Sequence, residues 1–201
     1  MDFRTSTVKT PVGMQTLDYW PITEEPANSH PVYASRLNMG AAVKGYVTVT
    51  TVSASIPGDD IVQVEDEVFT GGQFDTETTM SDLALNATLF GHSYSDEMGE
   101  ESKGSDRAKP GGISFIEPVL KKDKTQLYRA TCLRKCTAIP QSEKQEADTK
   151  KPNDFNPKMN SVSFKISEDN LQSWRMRQDF ATKAEAEAYI KKIFGAAAAE
   201  S

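Results

Sequence analysis

Two histidines and two cysteines are the residues of this 201-residue chain with the most distinctive chemistry. His30 and His92 lie far apart in loop-like sequence, and neither is next to a nucleophile motif. Cys132 and Cys136 are four residues apart in a strand-like stretch, which places their Cα atoms roughly 13 Å apart on one face. That separation is too long for a disulfide, and zinc requires more ligands. We therefore expect two buried free thiols.

Paired carboxylates are the other candidates for catalysis or metal binding. Glu65 and Glu67 are same-face neighbours about 6.6 Å apart on a predicted strand, but no apolar residues surround them to raise a pKa. Asp59 and Asp60 occupy a turn that lacks the ligand spacing of a calcium loop. The sequence contains no phosphate-binding loop, no dinucleotide fingerprint and no nucleophile elbow. We expect no enzyme, no metal site and no cofactor.

Charge is distributed unevenly along the chain. Residues 1–44 hold four basic and four acidic side chains, residues 45–102 hold twelve carboxylates and no lysine or arginine, and residues 103–201 hold nineteen basic and thirteen acidic side chains. The net charge of -6 is therefore 0, -12 and +6 in sequence order. An acidic surface repels nucleic acid phosphate, and a chain with acidic and basic parts can pair with copies of itself. Ordinary solvated strand faces and turns would give the same pattern.

The hydrophobic pattern predicts a mainly β fold, because apolar and polar residues alternate with period two in most segments. A glycine pair, Gly71 and Gly72, marks a bulge or bend in the third strand. In the fifth strand Cys132 and Cys136 share their face with Tyr128, Ala130 and Ala138. The predicted strands cover residues 16–22, 43–56, 61–78, 112–120, 125–139, 160–167 and 171–180.

Two segments change to helical periodicity. The first is predicted to begin at Ser81 as N-cap and to end at Gly91. The second opens with a capping box formed by Thr182 and Glu185, and it ends at Gly195. The sequence thus predicts one short packed helix and one C-terminal helix.

The rest of the chain is polar and rich in proline or glycine. We predict an extended N-terminal arm over residues 1–35, a β-sandwich domain over 36–195 and a flexible tail over 196–201. Residues 92–111 and 141–158 are expected to be long loops, which are usually functional or mobile. No apolar run approaches the roughly 20 residues that span a bilayer, and the N-terminus has no signal-peptide core. We expect no membrane contact and assembly in the cytoplasm.

Four blocks of sequence carry a resemblance to a known family. They are PVYASRLNMGAAVKGYVTVT, DDIVQVEDEVFTGGQFDTETTMSDLALNATLFGHSY, GGISFIEPVLKKDKTQLYRATCLRKC and FATKAEAEAYIKKIFG. In this order the blocks resemble the major tail proteins of long-tailed, non-contractile bacteriophages, over roughly residues 30–195. None of the blocks is a catalytic signature.

The resemblance implies a β-sandwich or partial barrel that joins five other copies in a hexameric ring, and rings that stack into a hollow tail tube. Its implied partners are the tape measure protein in the lumen and the terminator and distal tail proteins. Genome DNA would pass through the lumen without specific binding. The implied location is the tail of the virion, after assembly in the host cytoplasm.

Several residues receive roles as hypotheses. Gln63, Glu65 and Glu67 are expected to face the lumen, while the alternating Val62, Val64 and Val68 pack on a helix. Contacts between subunits or rings are expected at charged loop residues and at two aromatic residues of the arm. These residues are Tyr19, Trp20, Asp59, Asp60, Asp96, Glu97, Glu100, Glu101, Lys103 and Arg107.

Two other functions stay open at this point. The chain could form the tube of a contractile injection or secretion system, which sequence cannot distinguish because the difference lies in outer sheath-binding surfaces. It could also be a virion decoration or lectin-like binding module, which aromatic residues gathered at one end of the fold would favour.

Overall fold

The structure of the chain, a computed structural model, describes residues 9–58, 61–79, 82–140 and 160–195, with the backbone alone described over residues 54–58 and 61–66. These residues form a mainly β fold of the β-sandwich or partial-barrel type with two helices, as the alternation predicted. The elements in chain order are β1 Lys9–Pro11, β2 Gln15–Glu24, β3 Val32–Tyr33, β4 Leu37–Asn38, β5 Ala42–Gly58, β6 Ile61–Thr78, α1 Leu83–Phe90, β7 Ser93–Ser95, β8 Gly99–Glu101, β9 Pro110–Lys121, β10 Gln126–Ala138, β11 Asn160–Ser167, β12 Arg175–Phe180 and α2 Lys183–Phe194.

One antiparallel sheet contains all the described strands except β7 and β8, which pair with each other. Its order is β3-β2-β9-β10-β11-β6-β5, with β1 beside β9, β4 beside β2 and β12 beside β10. Since β9 and β10 lie in the middle of this order, they present one face to each side of the fold. The sheet can therefore support two separate apolar clusters.

The apolar side chains form two clusters on the two sides of β9 and β10. The α1 cluster contains residues of α1 and the inward faces of β6 and β11; its largest members are Tyr19, Phe74, Phe90, Phe115 and Phe164. The α2 cluster holds α2 against the opposite side; its members include Trp20, Ile116, Ala130, Cys132, Ile190 and Phe194. Burial of these side chains is the main stabilising term of the fold.

Two consecutive glycines in β9 allow aromatic rings to approach the backbone closely on both faces of the sheet. A Cβ atom at Gly111 would lie 2.3 Å from the ring of Tyr19, and one at Gly112 would lie 2.2 Å from the ring of Phe194. Phe194 in turn stacks on Trp20 with ring centroids 5.2 Å apart. Any larger residue at either glycine would displace a ring that the core is built around.

The two helices begin and end at side chains that the sequence largely identified. α2 has the predicted capping box, in which Thr182 and Glu185 each bond the other's backbone N–H. α1 ends as predicted at Gly91, in the left-handed region with φ 77°. Its N-cap is Asp82 rather than the predicted Ser81, because the Asp82 carboxylate accepts the backbone N–H of Ala84 at 2.9 Å.

A bulge in β10 corrects the prediction that both cysteines share a face. The register against β9 shifts between Leu133 and Cys136, and an added residue inverts the alternation of side chains. Cys132 therefore belongs to the α2 cluster and Cys136 to the α1 cluster. Both are buried and free of disulfides, as predicted.

The predicted extended arm is part of the sheet. β2 pairs with β9 from Gln15 to Pro21 and with β3 and β4 on its other side. The structure thus corrects the arm over residues 1–35, since its described part from Gln15 onward contributes core residues. The predicted loop over 141–158 and the tail over 196–201 lie outside the described residues.

Candidate assembly surfaces

The β5–β6 hairpin extends past the rest of the sheet. β6 pairs with β11 from Gly72 to Thr78, whereas from Ile61 to Phe69 its only strand partner among the described residues is β5. At a rise of about 3.3 Å per residue, that stretch projects by roughly 30 Å. The outer edge of β5 carries no strand in the described part of the chain, so its backbone groups are open to pairing.

A bulge lies where this hairpin leaves the body, as the glycine pair predicted. The register shifts just after Thr50, opposite Gly71, whose φ of +153° suits glycine. Beyond it Phe69 still packs on the body, since its ring stacks on Trp174 with centroids 4.6 Å apart. The next residue outward, Val68, is 56% exposed.

Val52 and Val68 form an exposed apolar pair on the hairpin. They lie directly opposite each other in the β5–β6 register, and each is more than half exposed. The prediction that Val68 packs on a helix is therefore wrong. Glu67, predicted to face a lumen, is exposed. Gln63 and Glu65, also predicted to face the lumen, and Val62 and Val64, predicted to pack on a helix, lie outside the described side chains.

The outer face at the base of the hairpin is polar and contains a shallow recess of about 230 Å³. Tyr46 is 55% exposed there, and the Lys44 ammonium lies 5.1 Å from its ring centroid and 3.7 Å from the Glu77 carboxylate. Asp75 accepts a hydrogen bond from the Ser163 hydroxyl of β11. This face combines one aromatic ring with charges of both signs.

Tyr19 and Trp20 were predicted to need a partner, either their own domain or a neighbouring chain. The structure places both in their own core, at 1% and 6% exposure, so they are not available for contacts between subunits. The Tyr19 hydroxyl donates to the carbonyl of Lys109 at 3.0 Å, and the Trp20 indole donates to the Ser114 hydroxyl at 2.9 Å. The physical reason is β2 pairing with β9, which local sequence does not reveal.

The segment predicted as a long loop over residues 92–111 contains the β7–β8 hairpin and a histidine cluster. Nδ1 of His92 lies 2.6 Å from a carboxylate oxygen of Glu100 and 3.1 Å from the hydroxyl of Ser102. A Ser–His–acid triad requires the hydroxyl and the carboxylate on opposite ring nitrogens. Because both share Nδ1, the cluster is arranged to hold the hairpin together rather than to activate a nucleophile.

The charged residues predicted as contacts in this segment separate into inward and outward groups. Glu100 turns inward, with its side chain 10% exposed against His92, which corrects its assignment as a contact residue. Asp96 and Glu97 are exposed at the tip of the hairpin. The remaining ones bond within the segment: Glu101 with Lys103 at 3.0 Å, and Arg107 with backbone carbonyls of residues 104 and 106. Asp59 and Asp60 lie outside the described residues.

A buried carboxylate joins the segment before β3 to the β11–β12 connection. Asp169, with its side chain fully buried, accepts the backbone N–H of Leu171 and of Ser173 and lies 2.7 Å from Nδ1 of His30. Burial raises the pKa of the Asp169 carboxyl, but these bonds outweigh it and hold the pKa below its usual value. The Arg134 guanidinium lies 3.8 Å away, so this ionised group has a buried counter-ion.

Neither a metal cluster nor a membrane-spanning helix occurs in the described part of the chain. Over residues 9–58, 61–79, 82–140 and 160–195, no three His, Cys, Asp or Glu side chains are grouped so that they could hold a metal ion. The helices of the same ranges include none that is long and apolar enough to cross a bilayer.

No protein-family model matches the chain, and a comparison with curated proteins finds no match.

Sequence reasoning missed an exposed methionine in the β7–β8 hairpin and a groove beside α2. Met98 is 87% exposed at the β7–β8 tip, a position that looks like ordinary loop in the sequence. The groove combines Arg134 with residues 29–33 and 192–194. No local signal links these segments, because β10 and α2 bring them together.

Proposed function

We propose that this chain is the structural subunit of a bacteriophage tail tube, assembling as stacked hexameric rings into a hollow conduit for DNA ejection. The observation that carries the proposal is the β5–β6 hairpin, which leaves the body, exposes Val52 and Val68 and leaves the edge of β5 open. The order of the four sequence blocks gives the kind of assembly. An isolated chain would expose this surface to aggregation.

Ring closure accounts for the open edge. A strand edge added to a neighbour's sheet has its N–H and C=O groups satisfied, and a closed ring of copies leaves no edge at all. The exposed valine pair then packs against the adjoining copy, since apolar cross-strand pairs are stabilised by a further apolar surface. In this proposal the hairpin is the element that each subunit contributes to its neighbours.

The acidic charge of residues 45–102 suits the bore of such a tube. Twelve carboxylates without one lysine or arginine repel DNA phosphate, so DNA slides past without being held. The proposal assigns this lining to Gln63, Glu65 and Glu67. The tape measure protein would fill the bore before ejection, and terminator and distal tail proteins would cap the ends. The tube would be part of the virion and would be assembled in the host cytoplasm, with no role as an enzyme.

The recess at Tyr46 favours one other function, a virion binding module. An exposed aromatic ring next to the Asp75 and Glu77 carboxylates suits a polar ring-shaped ligand such as a sugar, which stacks on the ring and donates hydroxyl hydrogen bonds. Tyrosine fluorescence of the chain titrated with neutral monosaccharides tests this function. Saturable quenching that is lost in Tyr46→Ala supports it, and a flat titration excludes those sugars as ligands.

Negative-stain microscopy of the purified chain at high concentration tests the tube. We expect hollow filaments or stacked rings for the natural sequence. The double variant Val52→Lys, Val68→Lys should remain folded by circular dichroism and lose the assemblies, because two charged side chains would replace the apolar pair that packs on each neighbour. Leu171→Lys, which changes another exposed apolar residue (47% exposed), is the matched control and should assemble. A chain that stays monomeric at all concentrations contradicts the proposal.

A further inference from the structure

A groove beside the end of α2, here the α2 groove, has an apolar lining and basic side chains. It has a volume of about 400 Å³ and is formed by residues 29–33 on one side, residues 192–194 on the other, and Arg134 between them. Its apolar lining comes from Val32, Tyr33, Ile193 and Phe194. Lys192 is an exposed residue of the last turn of α2.

The α2 groove is basic, because Arg134 and Lys192 line it and none of the other described residues that line it is acidic. Asp169 is fully buried and already bonded by backbone amides and His30. The Arg134 side chain is only 5% exposed, and its Nε makes no hydrogen bond to any described residue. Asp169 balances the charge of Arg134 at 3.8 Å, whereas Lys192 has no carboxylate partner among the described residues, so its ammonium is the unmatched donor of the groove. An acidic group combined with an apolar side chain is the ligand chemistry that fits.

The tip of the β7–β8 hairpin has the complementary chemistry. Its residues Asp96, Glu97 and Met98, here the β7–β8 tip, are all exposed, and Met98 reaches 87%. The tip is held in shape because the Met98 N–H donates to the Ser95 hydroxyl at 3.1 Å and Gly99 adopts φ 75°. Methionine is flexible and polarisable, which suits it to filling an apolar groove.

The tip and the groove lie on different sides of the sheet. The tip belongs to the segment packed on α1, whose buried residues are in the α1 cluster, whereas the groove lies at the end of α2, whose buried residues are in the α2 cluster. β9 and β10 separate the two clusters. A tip therefore cannot reach the groove of its own chain, and a contact between them has to join two copies head to tail.

We infer that the β7–β8 tip of one copy docks in the α2 groove of the next copy. Met98 packs against Val32 and Ile193, the partly buried apolar residues of the groove, and the carboxylates of Asp96 and Glu97 meet Lys192. A head-to-tail contact of this kind generates rings when its rotation closes and filaments when it does not. The inference rests on the proposed function, which supplies the self-assembly of the chain. What it adds is the identity of the two surfaces that meet.

Charge reversal tests the contact. Lys192→Glu should raise the concentration needed for assembly by roughly three- to tenfold, since like charges then face each other. Lys191→Glu, the adjacent exposed residue of α2 that does not line the groove, is the matched control and should have a smaller effect. Adding Glu97→Lys to Lys192→Glu in the same chain should restore assembly, because the pair is inverted rather than removed.

Disulfide trapping tests the same contact by position. A mixture of Met98→Cys chains and Ser29→Cys chains, treated with a mild oxidant, should give a cross-linked dimer that contains one of each. Neither variant alone should cross-link. A mixture of Val12→Cys chains (52% exposed) and Met98→Cys chains is the position control and should give no cross-linked dimer. The natural cysteines are buried and do not compete.

The outcomes separate this inference from the proposed function. Hollow tubes without the mixed cross-link, and with equal effects of Lys192→Glu and Lys191→Glu, overturn the docking and leave the tube standing. A chain without any assembly and without any cross-link overturns both. The mixed cross-link together with charge-swap rescue supports the docking whatever the symmetry of the assembly.

Discussion

A carboxylate oxygen of Asp169 lies 2.7 Å from Nδ1 of His30, across 139 residues of sequence. This pair fastens the segment before β3 to the connection between β11 and β12. Arg134 of β10 supplies the third charge, with its Nε 3.8 Å from the same oxygen. Since Asp169 and Arg134 are both buried, neither can exchange its partner for water.

The first prediction removes that charge. Asp169→Asn keeps an oxygen for the two backbone amides but leaves the Arg134 guanidinium buried without a counter-ion. Removing one partner of a buried pair costs about 3 kcal/mol or more, so the midpoint of urea unfolding should fall accordingly. Glu168→Gln, the neighbouring acidic residue and only partly buried, should stay within about 0.5 kcal/mol of the natural chain. Equal midpoints for the two variants would contradict this account.

The second prediction concerns stability in acid. Asp179 bonds Arg129 at 2.7 Å and Lys9 at 2.7 Å, and these partners lower the pKa of its carboxyl to about 2. The unfolded value is about 3.9, so the stabilisation is complete above that pH and is lost as the pH falls towards 2. The free energy of unfolding should therefore decline less steeply between pH 4 and pH 2 in Asp179→Asn. Some slope should remain, because the pKa of Asp169 is also lowered. Identical slopes would refute the assignment to Asp179.

The third prediction tests the close approach of Phe194 to β9. Gly112→Ala would put a Cβ atom 2.2 Å from the Phe194 ring, so the ring has to leave its stack on Trp20. We expect a loss of about 1–3 kcal/mol in unfolding free energy and a change in the near-ultraviolet circular dichroism of the tryptophan. Gly104→Ala is the control, because no atom lies within 4 Å of its Cβ position. A stable Gly112→Ala chain with unchanged aromatic signals would show that the ring is not confined.

The spacing of apolar residues was enough to predict the main strands, which alternate with period two, and the C-terminal helix, which has helical periodicity. β11 shows why: Val162, Phe164 and Ile166 are buried and the residues between them are not, so the local pattern and the tertiary environment agree. The capping box at Thr182 and Glu185 is likewise a local hydrogen-bonded unit. Such elements can be predicted because the residues that determine them lie within a few positions of one another in the sequence.

The misjudged regions depend on contacts between distant residues. Tyr19 and Trp20 lie in proline-rich sequence, and only pairing with β9 buries them. The β7–β8 hairpin has strands of three residues, and His92 with Glu100 holds it together. The α2 groove could not be predicted for the same reason. Arg134 is distant in sequence from residues 29–33 and 192–194, which line the groove with it.

The fourth prediction tests the bulge in β10, which separates the two cysteines. Cys132 belongs to the α2 cluster, against which Tyr189 of α2 packs, and Cys136 belongs to the α1 cluster together with Tyr19 of β2. Cys132→Ser should therefore shift backbone amide resonances of α2, whereas Cys136→Ser should shift those of β2 and β11.

Each of these substitutions buries a hydroxyl group, at a cost of about 1–3 kcal/mol, so the two variants are matched in chemistry and differ only in position. Burial raises the pKa of the Cys132 thiol to about 12 and raises that of Cys136 as well. Both natural thiols should then react with an aromatic disulfide reagent only after unfolding. Without the bulge the residues at 132 and 136 would share one face, as strand alternation requires. Two serine variants that perturb one common set of resonances would therefore mean that β10 is regular.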